Sequence, residues 1–348
     1  MQRRKLISAV VTSALLAACA PLQRKSAEKF LPLPTLGANT PLRVVYAHNP
    51  RFDRPAPGLI NAIQGQAQAL CKAHLGVSVQ WAAVQEIAID QLFSAMTAQR
   101  WNQLKPLTYD FAGGRTRDIL VQELERSLRR NRSPIAAQIA YAQPHLVSAA
   151  VPTDAASLAA ALIDTQLVRF SQWRALLGRD AQPLLDGSLY NEYLAWALAP
   201  RGQAWPFEVV ITNQLLASVE YKNNSLHSAL RGGVSNGLTC ESPASRYGTV
   251  STLSLFPFTN QAALTRQLRG DVNCASTDPV QAAAALLVHE LGHQLLHLGH
   301  PFGNKACVMN PPELLQFGIW MKDLDAAQCP LGNVAENTVG VEQFLALP

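Results

Sequence analysis

Hydrophobic positions along the chain change their period twice, which divides it into a strand–helix–strand opening, a helical middle and a strand-rich stretch leading into one long helix. The segment Pro41 to His48 carries Leu42, Val44, Val45 and Tyr46, and Val77 to Val84 alternates through Val77, Val79 and Trp81, so both predict strands. Between them Leu59, Ile60, Ile63, Ala67, Leu70 and Cys71 recur at helical spacing over Gly58 to Leu75, with Gly76 as the stop. From about Asp90 to Pro200 the texture is Ala, Leu, Arg and Gln with helical patterns at Ile119, Leu120, Leu124 and Leu128 and again from Leu158 to Leu177, which predicts a helical insertion. Strand texture returns at Phe207 to Thr212, Gly233 to Thr239 and Tyr247 to Phe256. Asp278-Pro279 then opens a helix, as an N-cap followed by proline at the first helical position, and the helix runs through an alanine-rich stretch to about Leu298, where Gly299 can end it. These elements predict an α+β fold.

The N-terminus reads differently. Arg3, Arg4 and Lys5 precede an apolar run from Leu6 to Ala17 and then Leu16-Ala17-Ala18-Cys19, the pattern of a signal peptide whose last four residues resemble the bacterial lipobox. The expectation is a signal over residues 1–18, a lipid anchor on Cys19, and a tether to Pro41 rich in Pro, Lys and small residues. Ala20 after the cysteine, with no Asp there, points to the outer membrane of a bacterial cell envelope. Without the three basic residues of the signal the formal charge of +5 falls to +2, which argues little for nucleic acid as a partner. Arg126, Arg129, Arg130 and Arg132 are expected to form a solvated helix face.

Export also sets the cysteine chemistry. Of six cysteines, five remain after Cys19, so up to two disulfides and one free thiol are expected among Cys71, Cys240, Cys274, Cys307 and Cys329. Nearness in sequence suggests Cys240 with Cys274 and Cys307 with Cys329. None has CxxC spacing, so a cysteine zinc site is not expected.

The chemistry is concentrated on the last long helix, which carries His289-Glu290-Leu291-Gly292-His293, the HExxH pattern. Residues four apart share one helical face, so both imidazoles can point at one metal ion, with Glu290 beside them as a base for metal-activated water. Four of the eight histidines fall within the twelve residues from His289 to His300, a clustering that core histidines satisfied one by one do not explain. A catalytic Zn2+ takes three protein ligands and leaves a position for water. His300, just past Gly299, is the first choice for the third ligand; Glu313 and His297 are the alternatives. His297 would continue the helical face but lies eight residues beyond His289, about 12 Å along the axis.

With these residues the chain resembles the metzincins, particularly their matrixin-like and archaemetzincin-like branches, in which HExxHxxGxxH is followed by a turn containing Met beneath the ligands. His289, Glu290, His293 and Leu298-Gly299-His300 fit the first part, and Cys307-Val308-Met309-Asn310-Pro311 looks like the Met-turn. Asp323-Leu324-Asp325-Ala326-Ala327-Gln328 looks like the closing helix. The departures are Leu296 at the usual glycine, a third histidine seven residues after His293 where the family has six, and Pro311 where some members carry a zinc-associated Tyr. A gluzincin-like site using Glu313 would not need the extra residue. The resemblance implies a zincin-like mixed sheet with a long active-site helix, a catalytic domain over 42–348 containing the helical insertion at about 90–200, and zinc-dependent hydrolysis of peptide bonds in protein or peptide substrates. It also implies Glu290 as catalytic base, Met309 as support, and substrate pairing with an edge strand near Gly233 to Thr239. A non-catalytic metal-binding envelope lipoprotein and a zinc hydrolase of peptidoglycan peptides are the competing readings.

Overall fold

The computed structural model describes residues 38–94, 96–99, 116–131, 134–186, 188–202, 205–217, 230–235, 250–270, 278–296, 298, 304–312 and 315–328. The chain divides into two units, Met1–Pro32 and Leu33–Pro348, and every described residue belongs to the second. The signal, the lipidation residue Cys19 and most of the tether therefore lie outside the described residues. Among the described residues no helix is long and apolar enough to cross a membrane.

The first predicted strand is two. β1 (Thr40–Leu42) and β2 (Val44–His48) are separated at Arg43, whose backbone N–H leaves the ladder to donate to Glu208 Oε2 at 2.7 Å. α1 (Leu59–Leu70) continues as a π-helical turn over Cys71–Leu75 and stops at Gly76, whose φ of 67° suits the left-handed cap. The second predicted strand contains β3 (Val79–Trp81), and a further strand that was not predicted, β4 (Gln85–Ala88), follows it. The helical region holds α2 (Ile89–Phe93), α3 (Arg117–Arg130), α4 (Ile135–Ala142), α5 (Ala155–Arg174) and α6 (Tyr193–Gly202). β5 (Val209–Thr212), the short antiparallel pair β6 (Leu216–Ala217) and β7 (Leu230–Arg231), then β8 (Gly233–Ser235) and β9 (Ser251–Ser254) follow. After β9 the described residues form α7 (Phe256–Thr259), α8 (Ala263–Arg269), α9 (Pro279–Leu296) and α10 (Phe317–Asp323).

The main sheet is mixed and has the order β4-β2-β5-β9-β8. β4, β2, β5 and β9 run parallel, with Tyr46 opposite both Glu86 and Ile211, and β8 closes the edge antiparallel, with Val234 opposite Thr252. Parallel neighbours require crossovers; α1 lies in the chain between β2 and β4, and the helical region between β4 and β5. One face, with Val44, Tyr46, Val209, Ile211 and Leu253, packs against α1 and α9 through Ile63, Ala67, Ala283 and Leu287. The other face, with Val45, Ala47 and Val210, is covered by Phe93, Trp196 and Trp205, the rings of both tryptophans meeting Phe93 edge-on at 5.0 and 5.5 Å. The helical region has a small core of its own, where Leu120, Leu124 and Leu128 of α3 face Leu158 and Leu162 of α5. An α+β fold with a mixed sheet is thus present, with a run of helices between β4 and β5.

One element lies elsewhere than expected. Among the described residues the last α-helix is Phe317–Asp323, and the segment read as the closing helix contributes only a 3₁₀ turn at Ala326–Gln328. Phe317 and Trp320, three apart, are buried and supply an apolar face, whereas Asp323 to Gln328 offers only Leu324, partly buried against the core, and two alanines.

Candidate metal centre

α9 is buried along almost its whole length, from Ala282 to Gln294, consistent with a helix that is hydrophobic nearly all round. Its entry is fixed by Asp278, whose carboxylate accepts from Val280 N at 2.9 Å. Its alanines at 282–285 let it lie close to α1 and the sheet. Gln294 ties its far end to the sheet: its side-chain amide donates to the carbonyl of Glu208, just before β5, at 3.0 Å, and Ser251 Oγ of β9 sits 2.7 Å from Gln294 Oε1. The helix ends at Leu296, two residues before the expected stop, and Leu298 N donates back to Gly292 O at 3.2 Å.

His289 and His293 stand one turn apart and are 3% and 5% exposed. His289 Nδ1 lies 2.9 Å from Val308 O, and His293 Nδ1 lies 2.6 Å from Leu298 O. A carbonyl oxygen can only accept, so each Nδ1 carries the proton and each Nε2 is left as a lone pair. Burial pushes the imidazoles down to about 3 and about 4, so both rings are neutral at neutral pH. The two Nε2 atoms are 3.1 Å apart. Two acceptors facing each other in a buried space repel unless an electrophile lies between them. A tetrahedral zinc with N ligands at 2.0–2.1 Å would hold them roughly 3.3 Å apart. The pair therefore fits a metal ion, and each ring already has the backbone carbonyl that commonly orients a metal-bound histidine through its other nitrogen.

Glu290 is buried beside the pair at 6% exposure, and burial pushes its carboxyl up to about 8 against the opposing pull of Arg231 on β7. A cation held by the neighbouring imidazoles would draw it back down. The carboxylate rests on the edge strand: a Cβ on Gly233 would stand 2.7 Å from Glu290 Oε1 and 2.9 Å from its Cγ. Glycine at 233 is thus what lets β8 pass against the Glu290 carboxylate. On the other side of α9, a Cβ on Gly292 would collide with Met309 Sδ, so Met309 is packed directly beneath the turn that carries the histidines. The segment around Met309 is a turn, and its Val308 carbonyl is the one that orients His289.

Of the residues singled out from sequence, His289, Glu290, His293 and Met309 come together here, whereas His297, Gly299, His300 and Glu313 lie outside the described residues. Among the described residues no group of three or more potential metal ligands is found. Cys71 is a buried free thiol and Cys307 is disulfide-bonded; Cys240, Cys274 and Cys329 lie outside the described residues. Sequence reasoning missed Arg231, Gly233 and the carbonyls of Val308 and Leu298. The doubled glycine at 232 and 233 inside a strand-like run was the available signal, since glycine in a strand marks a close approach. Comparison of the chain with protein-family models, with curated proteins and with solved structures found no match.

Proposed function

We propose that the protein is a zinc-dependent endopeptidase of metzincin-like kind, anchored by a lipid on Cys19 in the bacterial cell envelope and cleaving protein or peptide substrates there or outside it. The observation that carries this reading is the pair of buried, neutral imidazoles whose Nε2 lone pairs face each other at 3.1 Å, beside a buried carboxylate from the same helix. His289, His293 and His300 would hold the ion. Zinc in such a site supplies Lewis acidity, which acidifies a water and polarises a peptide carbonyl. The chain's own contribution is Glu290, a carboxylate able to take the proton of that water and return it to the departing amine. Val308 and Leu298 hold the rings in the tautomer that leaves Nε2 unprotonated. The antiparallel edge strand β8, in contact with Glu290, supports binding of an extended peptide by strand addition.

A purified chain holding about one zinc should cleave at least one member of a panel of unfolded proteins, peptides and muropeptides, and should stop when the metal is chelated. Zinc-loaded protein that cleaves none of them would leave a metal-binding lipoprotein; cleavage confined to muropeptides would narrow the substrate to peptidoglycan peptides. The anchor has its own test. Cys19→Ser should move the protein from the membrane pellet to the soluble fraction, and an unchanged distribution would refute lipidation at that residue.

A further inference from the structure

Beneath the histidine pair, residues 307–310 form a turn that closes on itself: Asn310 N donates to Cys307 O at 2.9 Å, and Cys307 N donates to Asn304 O at 3.2 Å. Met309 fills the space that Gly292 leaves on α9, and the Val308 carbonyl lies 2.9 Å from His289 Nδ1. Apolar packing of Met309 is non-directional, so it sets how close the turn sits to α9 without setting where its carbonyls aim. Ties at the two ends of the turn must do that.

The first end is anchored at Cys307 by its disulfide. The last is anchored by Trp320, whose indole Nε1 donates to Asn310 O at 2.7 Å. Among the described residues, His289 and Trp320 are the two side chains of other elements that hydrogen-bond to the backbone of this turn. An indole is a single donor with no acceptor, so one bond to Asn310 O uses its whole polar capacity. The ring that carries it is 5% exposed on α10, in the core that also holds Phe317 and Phe258, whose rings lie 4.6 Å apart. A packed helix face therefore aims the donor. His293 is oriented by a separate route: its carbonyl partner is Leu298, whose own N–H donates back to Gly292 O on α9.

We propose that Trp320 is a positioning residue of the candidate metal centre. Its N–H holds Asn310 O, fixes the 307–310 turn against α10, and through Val308 O keeps His289 in the tautomer and ring orientation that present Nε2 to an ion. The inference rests on the metal reading proposed above. A partly buried carbonyl that loses its donor seeks another, and the peptide planes of the turn can rotate to find water, taking Val308 O with them. Groups that orient a metal ligand directly change its affinity typically about 10–100-fold. Trp320 acts one link further out, so a loss near the lower end, about tenfold, is expected.

Trp320→Phe removes the N–H and keeps an aromatic ring. Exchange of the Trp320 indole for benzothiophene, with sulfur in place of N–H at nearly the same volume, does so without a cavity and carries the test where Trp320→Phe fails to fold. Leu124→Ala, in the separate core of α3 and α5, is the control for lost stability alone. Two readouts are taken on the full chain: imidazole nitrogen chemical shifts without metal, which report the tautomer of each histidine, and zinc affinity by competition with a chelator. In both Trp320 variants His289 should lose its single Nδ1-protonated tautomer while His293 keeps its own, and zinc should bind about tenfold more weakly. Leu124→Ala should change neither. The proposal is overturned if His289 keeps its wild-type tautomer, if His293 shifts equally, if the variants bind zinc as tightly as the wild type, or if Leu124→Ala reproduces the changes. A wild type that binds no zinc would overturn the metal reading, with the metal-free tautomer of His289 still deciding whether Trp320 positions that ring.

Discussion

Glu290→Gln should keep its zinc and lose hydrolysis by about 10²–10⁴-fold, the usual contribution of a general base. The substitution is close to isosteric, so the amide can occupy the same buried space against Gly233 without disturbing α9. His289 and His293 keep the Val308 and Leu298 carbonyls that set their tautomers, because neither contact involves residue 290. What the variant would lose is the proton acceptor proposed for the reaction. Zinc content by elemental analysis and kcat/KM on the same preparation decide the matter; undiminished turnover with zinc in place excludes Glu290 as base. Gly233→Ala is the companion variant. Its Cβ would press on Glu290 Oε1 and Cγ, at 2.7 and 2.9 Å, so it should displace the base and reduce turnover while every proposed ligand stays intact. The two variants separate the presence of the carboxylate from its position.

The parts of this molecule legible in the sequence are those governed by local physics. α9 could be read because its cap, its alanine run and the four-residue spacing of His289 and His293 all lie within one helix. The end of α1 could be read because Gly76 marks a left-handed residue. The division of the first strand at Arg43 could not, because it depends on a carboxylate that arrives 165 residues later, from Glu208. Nor could β4, an edge strand of four residues with no clear alternation of exposure. The tautomers of the two histidines were equally invisible, since the carbonyls that impose them are contributed by residues chosen for their backbone position, which leaves no mark on residue type. The helix after the Met309 turn was misplaced because the family resemblance put it at Asp323–Gln328, while burial of Phe317 and Trp320 favours the segment before it.

Loss of either helical ligand should strip the metal, and the third ligand should behave the same way. Removing a group that merely orients a metal ligand typically weakens binding 10–100-fold, so His289→Ala and His293→Ala should each cost more than about 100-fold. Neither neighbouring change can compensate, because both rings are buried and each is already committed at Nδ1. His300→Ala should match them. Leu298 O lies 2.6 Å from His293 Nδ1, and His300 follows two residues later, about 7 Å of fully extended chain from an atom that touches a ligand ring. His297→Ala should retain zinc, since the helical rise from His289 to that position is about 12 Å, too far for two imidazoles to meet at a tetrahedral ion. Glu313→Ala should retain it as well. Metal titration across these five variants reads the ligand set directly. Full zinc in His300→Ala together with loss in Glu313→Ala would replace the metzincin-like site with a gluzincin-like one, and would leave His289, His293 and Glu290 in the roles proposed for them.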